Sequence, residues 1–303
     1  MKARGYLNTA NVGLGQDFQA EAAARFAQAK ALGSRGDPIW AANRQEVGDR
    51  LTRLLGPGFE IRYFGNTTTA LQAVAHGVDW RQGDEVLVRQ HDFPSVMGVW
   101  DSSRTRIVPD LLNAINSRTR LVAVSHVNWA TGERADLSAL GRRCHEVGAL
   151  LCVDGVQAAG AIPLDLEHVD FYAVAPFKWL LGWFGLAFLA MRSPLLPAPQ
   201  GHVNHPALFV LNATLGWLDL DTVYQRVELL AARTADGLAA RGRTVVTPAY
   251  RAGIVSFEDP DAEATVERLA GRGVFVSARR GLVRVSPHFY NDEEDVDLVL
   301  RSF

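Results

Sequence analysis

The stretch that decides the fold runs from residue 150 to residue 191, LLCVDGVQAAGAIPLDLEHVDFYAVAPFKWLLGWFGLAFLAM. Three apolar runs divide this stretch: 150–153, 171–175 and 186–191. Apolar runs of this length between turn residues predict buried strands. Asp154 follows the first run and Lys178 follows the second. An ionisable group at the end of a buried strand must be paired, have a shifted pKa or act at a site, so we take Asp154 and Lys178 as the chemical centre.

The rest of the chain surrounds this stretch with alternating strands and helices. The alternation over 60–190 predicts an α/β fold with a mostly parallel sheet and helices on both faces. Ligands collect at the carboxyl ends of the strands in such sheets. Three more segments outside the sheet have a predicted structure: helices over 17–32 and 43–56, and continuous helical structure over 206–241.

The C-terminal part predicts a small α+β domain, which includes a strand over 244–248. We expect a large domain at 16–205, and a small domain formed by 206–303 together with an N-terminal arm, 1–15. The proline-rich segment 194–206 predicts a loop that leaves the large domain.

Composition excludes several classes of protein. The 303 residues are 48% hydrophobic and carry a formal net charge of −2, so nothing in the charge favours binding to nucleic acid. No run approaches the roughly 18 apolar residues of a membrane helix, and the N-terminus lacks the apolar segment of a signal peptide. Cys144 and Cys152 are expected to be reduced core residues, not a disulfide or a metal site. We therefore expect a cytoplasmic protein without a metal that binds neither nucleic acid nor a membrane.

The scarcity of lysine singles out one residue. Only three of the 31 basic residues are lysines, namely Lys2, Lys30 and Lys178, and Lys178 alone lies within apolar sequence. Burial disfavours the ammonium form, and a neutral lysine amine can form a Schiff base with an aldehyde. Arginine cannot replace lysine in that role. The alternative is a structural lysine that extends from the edge of the core into solvent.

Asp154 could pair with a cation such as a protonated pyridine nitrogen, the group that pyridoxal phosphate presents to a carboxylate. Gln157, three residues later, is close enough to bond a substituent of the same ring. A buried structural salt bridge between Asp154 and Lys178 is the alternative.

Other positions could complete a cofactor site. The turn 65–68, Gly-Asn-Thr-Thr, offers backbone N–H groups and hydroxyls to a phosphate at a helix start, although ordinary helix capping explains threonine there equally well. Phe93 follows another predicted strand and could stack on a flat ring or belong to the core. Arg284 could bind a carboxylate with both arms of its guanidinium or form a surface salt bridge.

With these residues in place, the chain resembles the class V aminotransferase family of fold-type I pyridoxal-phosphate enzymes, which includes cysteine desulfurases, kynureninase and isopenicillin N epimerase-like proteins. The motifs that carry the likeness are YLNTANVGLG (6–15), NTTTALQAVA (66–75), HDFPSVMGVW (91–100), VDGVQAAGAIPLDL (153–166), DFYAVAPFKWLLGWFGLAFL (170–189) and RVSPHFYNDEEDVD (284–297). The resemblance implies a homodimeric enzyme that acts on the amino group of an amino acid, with active sites at the subunit interface.

The resemblance also implies a role for each cofactor residue. Lys178 would bind pyridoxal phosphate covalently and move the substrate proton, Asp154 would keep the pyridine nitrogen protonated, and Gln157 would bond the ring hydroxyl. The remaining residues implied to hold the cofactor are Asn66, Thr67 and Thr68 at the phosphate, Phe93 stacked on the ring, and His202 reaching the phosphate of the partner subunit.

Arg284 would bind the substrate α-carboxylate, and Asn11, in the loop 9–13, would be a further substrate contact. This chain departs from many relatives at Ala175 and Phe177, where they have a serine and a histidine that bind phosphate.

The resemblance leaves several reactions open. Aminotransfer needs only Lys178 to move a proton, and it is the reaction we expect. A Cβ lyase also needs only one base. An epimerase needs a proton donor on each face of the ring, and Phe93 supplies none. A desulfurase needs a cysteine nucleophile on a mobile loop, and Cys144 and Cys152 are not placed for that. A non-catalytic binding protein with the same fold is a further alternative.

Overall fold

The computed structural model describes residues 4–193 and 202–303. Most of the predicted loop 194–206, and Lys2, lie outside the described residues. The α-helices and strands of the structure, in chain order, are α1 (Phe18–Ala31), α2 (Asp37–Leu55), β1 (Glu60–Phe64), α3 (Thr67–Gly77), β2 (Glu85–Arg89), α4 (Pro94–Gly98), β3 (Thr105–Val108), α5 (Leu111–Ala114), β4 (Thr119–Ser125), α6 (Leu137–Glu146), β5 (Leu150–Asp154), β6 (Phe171–Val174), β7 (Ala187–Met191), α7 (His205–Trp217), α8 (Leu220–Ala239), β8 (Val255–Glu258), α9 (Ala262–Ala270), β9 (Ser277–Arg279), β10 (Leu282–Val285) and α10 (Glu293–Leu300).

The large sheet has seven strands in the order β1-β7-β6-β5-β4-β2-β3. Strands β2 to β6 are parallel, and β7 lies antiparallel between β6 and β1. The prediction of an α/β fold with a mostly parallel sheet is confirmed. Because β7 is antiparallel to both neighbours, β1 runs in the direction of β6. Phe64, Ser125 and Asp154 therefore end their strands at one edge of the sheet.

Alternating side chains of the central strands pack on opposite faces of this sheet, as the strand geometry requires. Leu151 and Val153 of β5 belong to an apolar cluster that includes residues of α2, α6 and α7. Cys152, between them, belongs to a second cluster that includes residues of α3 and α4. β5 is therefore covered on both sides, which explains why it is a continuous apolar run and why its terminal carboxylate, Asp154, is buried.

The small C-terminal sheet is antiparallel, in the order β8-β10-β9, and shares an apolar cluster with residues of α8, α9 and α10. The N-terminal arm lies against this sheet. Leu7 donates its N–H to the carbonyl of Phe275 (2.9 Å) and accepts from the N–H of Ser286 (2.7 Å). Further along the arm, the N–H of Gly13 donates to the carbonyl of Phe177 (3.0 Å). The arm therefore connects the small sheet to the loop that carries Lys178.

Two sequence-based boundaries differ from the structure. The segment 206–241 is two helices separated by two residues, because the Asp219 side chain accepts the Thr222 N–H and caps the start of α8. α2 begins at Asp37, six residues before the predicted start, with a proline in its first turn.

The predicted strand 244–248 is also wrong, since only an isolated bridge, Val245 to Phe257, forms there. The Thr247 hydroxyl accepts the Ser256 N–H (2.7 Å), and Pro248 has no N–H to continue a ladder.

The division into domains at 205/206 stays a prediction, and α7 packs against α1 and α2. Within residues 4–193 and 202–303, none of the helices has the length and apolar character that crossing a membrane requires.

The turn after β5 leaves no room for a side chain at Gly155. A Cβ atom there would lie 2.2 Å from Cζ of the fully buried Tyr172. We expect Gly155→Ala to lower the free energy of unfolding by about 1–3 kcal/mol, because neither the strand end nor the ring can move freely. Gly48→Ala is the control. It lies within α2 with nothing within 4 Å of its added Cβ, and we expect it to stabilise by up to about 1 kcal/mol. Urea unfolding measures both, and wild-type stability of Gly155→Ala would contradict this account of the turn.

Candidate active site

A cavity of about 160 Å³ opens at the carboxyl edge of the large sheet. The residues that line it are Asn66, Thr67, Thr68, Phe93, Ser95, Ser125, Trp129, Asp154, Val156, Gln157, Ala175, Phe177 and Lys178. Seven of these were singled out from the sequence: Asn66, Thr67, Thr68, Phe93, Asp154, Gln157 and Lys178. The strand order brings them together, although more than a hundred residues of chain separate the first from the last.

Lys178 lies in the loop between β6 and β7, between two aromatic rings. Its Nζ is 5.5 Å from the ring centre of Phe177 and 5.9 Å from that of Phe93. No residue in the described part of the chain forms a hydrogen bond or ion pair with this amine. Burial, together with the nearby charge of Arg284, lowers the pKa of Lys178 to about 8. The amine is therefore more readily neutral than an ordinary lysine.

Asp154 ends β5 and is 7% exposed. One carboxylate oxygen accepts the N–H of Val156 (2.9 Å), and burial raises the pKa of the carboxyl above its usual range. No ion pair within 4.0 Å joins Asp154 to Lys178, so the two do not form the structural salt bridge considered from the sequence. The carboxylate is available to a cation in the cavity.

Gln157 has two protein partners. Its Oε1 accepts from Nε1 of Trp179 (2.8 Å), and its Nε2 donates to the carbonyl of Ala10 (3.0 Å). A primary amide has two N–H groups, so one remains for a group in the cavity. Gln157 therefore also ties the turn after β5 to the N-terminal arm and to the residue after Lys178.

The start of α3 forms a polar wall of the cavity. Oδ1 of Asn66 accepts the N–H of Thr69 (2.8 Å) and caps the helix, while Oγ of Thr68 lies 2.7 Å from Oγ of Ser95. The hydroxyl of Thr67 is buried and has no hydrogen-bond partner in the described chain. Helix capping thus accounts for Asn66 but leaves the Thr67 hydroxyl unpaired, which is costly unless a ligand accepts its hydrogen bond.

Sequence reasoning missed a buried acid beside the cavity. The carboxylate of Asp92 accepts from Oγ (2.5 Å) and N–H (2.9 Å) of Ser125, which lines the cavity. Asp92 follows the apolar strand β2 much as Asp154 ends β5, so the same signal could have identified it. Ser95 was missed as well, and a serine in the first turn of a helix carries no distinguishing signal.

Trp129 was not assigned a role from the sequence either. Its indole Nε1 is buried without a partner among the described residues, and its ring packs edge-on against Phe93 at 5.8 Å between centres. An unpaired buried donor in a cavity wall is a place for a ligand acceptor. A lone tryptophan in a sequence gives no such indication.

Arg284 borders the cavity from the small sheet. It is 2% exposed, and its Nη1 donates to the carbonyl of Trp129 (2.6 Å) while its Nε donates to Oγ of Ser277 (3.2 Å). Burial lowers the pKa of Arg284 to about 9. Arg284 is buried and forms no salt bridge with any described residue, so the surface salt bridge considered as an alternative is wrong.

Two predicted residues lie away from the cavity. Oδ1 of Asn11 accepts from Nη2 of Arg279 (3.2 Å), in the same region as Arg284. His202 is exposed and does not line the cavity of its own chain. At the two departures, Ala175 lines the cavity without a polar group, and Phe177 stacks on Phe184 with ring centres 4.5 Å apart.

We expect Lys178→Met to stabilise the protein purified without ligand, by up to about 3 kcal/mol at pH 7. The folded state lowers the pKa of Lys178 to about 8, so below pH 8 folding has to bury a charged amine. Above the ordinary lysine value of about 10.4 the amine is neutral in both states and this cost disappears. The difference in the free energy of unfolding between Lys178→Met and wild type should therefore shrink as the pH rises from 8 to above 10.

Thermal unfolding between pH 7 and 10.5 measures this difference. Lys30→Met is the matched control, because Lys30 is exposed near the end of α1 and its replacement should show no such pH dependence. A pH-independent effect of Lys178→Met would mean that the amine is fully hydrated.

Comparisons with known proteins agree with this geometry. Residues 45–203, more than half of the chain, match the family described as aminotransferase class-V. An uncharacterized aminotransferase of Bacillus subtilis, YcbU, is 26% identical over 282 residues, covering 78% of this chain and 76% of its own. A probable cysteine desulfurase of Methanothermobacter thermautotrophicus is 33% identical over 147 residues, covering 43% of this chain and 37% of its own.

Among solved structures, the cystine C-S lyase C-DES, in complex with its product cysteine persulfide, has the same fold. Its TM-score is 0.88 at 22% identity, over 98% of this chain and 96% of that one. Taken with the sequence motifs, the match over residues 45–203 identifies the chain as a member of the class-V aminotransferase family and as an enzyme that depends on pyridoxal phosphate.

Proposed function

We propose that this protein is an aminotransferase that acts on an amino acid. The observation that carries the proposal is the composition of the cavity wall. Lys178 and Asp154 are its two ionisable residues, and Lys178 offers an unpaired amine, with a pKa lowered to about 8, that can receive and return a proton near neutral pH. A single base is what the proton shift of aminotransfer requires.

The residues present fit pyridoxal phosphate. The unpaired hydroxyl of Thr67, the Thr68–Ser95 pair and the N-terminus of α3 form a site for the phosphate. Asp154 can hold a protonated pyridine nitrogen, and the free N–H of Gln157 or the unpaired N–H of Trp129 can bond the ring hydroxyl. Bound there, the cofactor supplies an electron sink for the bonds at the substrate α-carbon.

The protein's own residues then have separate tasks. Arg284 binds the substrate carboxylate and fixes which bond faces the base. Lys178 removes the α-proton and returns it at another atom. Phe93 and Phe177 flank the amine with apolar surface, which keeps water away and keeps the pKa of the amine low. Asp92 fixes the hydroxyl of Ser125 beside Asp154.

A Cβ lyase is the second candidate, because elimination also needs only Lys178 and a leaving group on the substrate. A sulfur-carrying cysteine has no support in this chain, since Cys144 and Cys152 are both buried and burial raises the pKa of each thiol. A lyase that releases its sulfur product directly needs no such cysteine. The Methanothermobacter relative is named a probable cysteine desulfurase, which is a further reason to test for lyase activity.

An epimerase and a non-catalytic binding protein have less support. An epimerase needs a second proton donor, yet His91 is exposed and its Nδ1 lies 2.9 Å from Nη2 of Arg280. A protein that binds a partner or a metabolite without catalysis has no physical need for a buried, unpaired amine at Lys178.

We also propose that the enzyme is a cytoplasmic homodimer in which His202 reaches the site of the partner subunit. Trp183 is 38% exposed and Phe184 is 61% exposed, beside the cavity residue Phe177. Large exposed aromatic side chains next to a site are typical of a surface that a second subunit covers.

Loss of the Thr67 hydroxyl should weaken cofactor binding. We expect Thr67→Val to raise the Kd for pyridoxal phosphate about tenfold or more, because a hydrogen bond to a charged group contributes about 1.5–3 kcal/mol. Thr52→Val, on the exposed side of α2, is the matched control and should leave the Kd unchanged. Titration of the visible absorption measures both, and an unchanged Kd for Thr67→Val would remove this hydroxyl from the phosphate site.

The reaction itself is tested by a single-turnover product balance. Holoenzyme is mixed with excess amino acid, including alanine, glutamate and cysteine, without an oxo-acid acceptor. Aminotransfer predicts one oxo acid per active site and no free ammonia, with further turnover only when an acceptor is added.

Ammonia released in equal amount to the oxo acid, over many turnovers without an acceptor, would favour the lyase instead. Lys178→Ala is the control and should form no product. A protein that stays colourless with added pyridoxal phosphate would contradict the proposal altogether.

A further inference from the structure

The hairpin of β9 and β10 places two arginines on one face of the small sheet. Arg284 is directly opposite Ser277 in the antiparallel register, and its Nε donates to that serine's Oγ (3.2 Å). Ser277 and Arg279 are two residues apart on β9, so their side chains share a face. Arg279 is therefore a diagonal neighbour of Arg284, on the face from which Arg284 reaches the carbonyl of Trp129 in the cavity wall.

No acid among the described residues neutralises these two arginines. Arg279 donates from Nη1 to the carbonyl of Ala278 (2.7 Å) and from Nη2 to Oδ1 of Asn11 (3.2 Å), both neutral acceptors. In the described ranges, no carboxylate lies within 4.0 Å of Arg279 or Arg284. The charge of Arg279 instead repels the other cations, since it lowers the pKa of both Arg284 and Lys178.

A third arginine stands at the same edge. Arg280 is exposed, and its Nη2 lies 2.9 Å from Nδ1 of His91, in the loop that leads to Phe93. It too has no carboxylate partner in the part of the chain that the structure describes. Like charges gathered without an acid repel one another, and a bound anion removes that repulsion.

A single carboxylate on the substrate can neutralise only one of these arginines. Under the proposed function, on which this inference rests, the substrate α-carboxylate binds Arg284. We propose that Arg279 determines specificity by binding a second carboxylate, so that the enzyme accepts dicarboxylic amino acids and dicarboxylic 2-oxo acids. Arg279 is only partly buried, so its guanidinium can exchange the neutral oxygen of Asn11 for a carboxylate, which forms the stronger bond.

Ligand binding to the holoenzyme tests the inference without turnover. Glutarate and pentanoate have the same number of carbons but two carboxylates and one, respectively. We expect calorimetry to give a Kd for glutarate at least about tenfold lower than that for pentanoate. Arg279→Gln should bring the ratio of the two Kd values close to one. Arg279→Lys keeps the positive charge and should retain part of the preference for glutarate.

Arg301→Gln is the matched control. Arg301 is an exposed arginine just after α10, and its loss should leave the ratio as in wild type. Circular dichroism and the Tm establish that each variant is folded. The inference is wrong if wild-type enzyme binds pentanoate as tightly as glutarate, or if folded Arg279→Gln keeps the wild-type ratio.

Glutamate and norvaline also have the same number of carbons but two carboxylates and one, respectively. Their single-turnover rates separate this inference from the proposed function. Reaction with both amino acids at similar rates would overturn the role of Arg279 and leave aminotransfer intact. If neither reacts but glutarate still binds preferentially in an Arg279-dependent way, the proposed reaction fails and the second carboxylate site stands.

Discussion

The site depends on how Trp179 is held. This residue follows Lys178 and is 1% exposed. Its indole N–H donates to Gln157 (2.8 Å), its carbonyl accepts from Nε2 of His288 (2.9 Å), and its ring stacks on that histidine at 5.5 Å. Burial lowers the pKa of His288 to about 4, which keeps it neutral and able to donate to one carbonyl while its other nitrogen accepts the Phe289 N–H. Because the amine of Lys178 has no hydrogen bond to any described residue, this neighbour fixes where the amine lies.

The arrangement keeps opposite charges apart. Asp154 and Lys178 lie in one cavity without an ion pair between them, and Arg284 is buried without an acidic partner among the described residues. Each charge is dehydrated at a cost to stability, and each is left available to a different part of a ligand. A sequence that maximised stability would pair or remove these groups. Their retention as single, separated charges is the physical mark of a site in which the ligand supplies the missing counter-charges.

The sequence was informative where chemistry and local pattern coincide. Asp154 and Lys178 stand out as ionisable groups beside buried strands, and the parallel sheet that unites them follows from the alternation of elements. Reasoning failed where a contact depends on distant partners. Nothing local shows that Gln157 bonds Trp179 and Ala10, or that the N–H of Trp129 is left unpaired. The strand expected at 244–248 failed for a related reason, since the Thr247 side chain takes the place of a backbone acceptor.

The path of the N-terminal arm has a consequence for biosynthesis. The arm pairs with Phe275 and Ser286 near the other end of the chain and then bonds Phe177 beside the reactive lysine. A ribosome releases these partners roughly 170 to 280 residues after the arm. The large sheet has all its strands once β7 has emerged, yet Gly13 and Trp179 lack their small-domain support until β10 and His288 are made. The nascent chain therefore carries Lys178 for more than a hundred further residues before His288 is made and can support the loop around it.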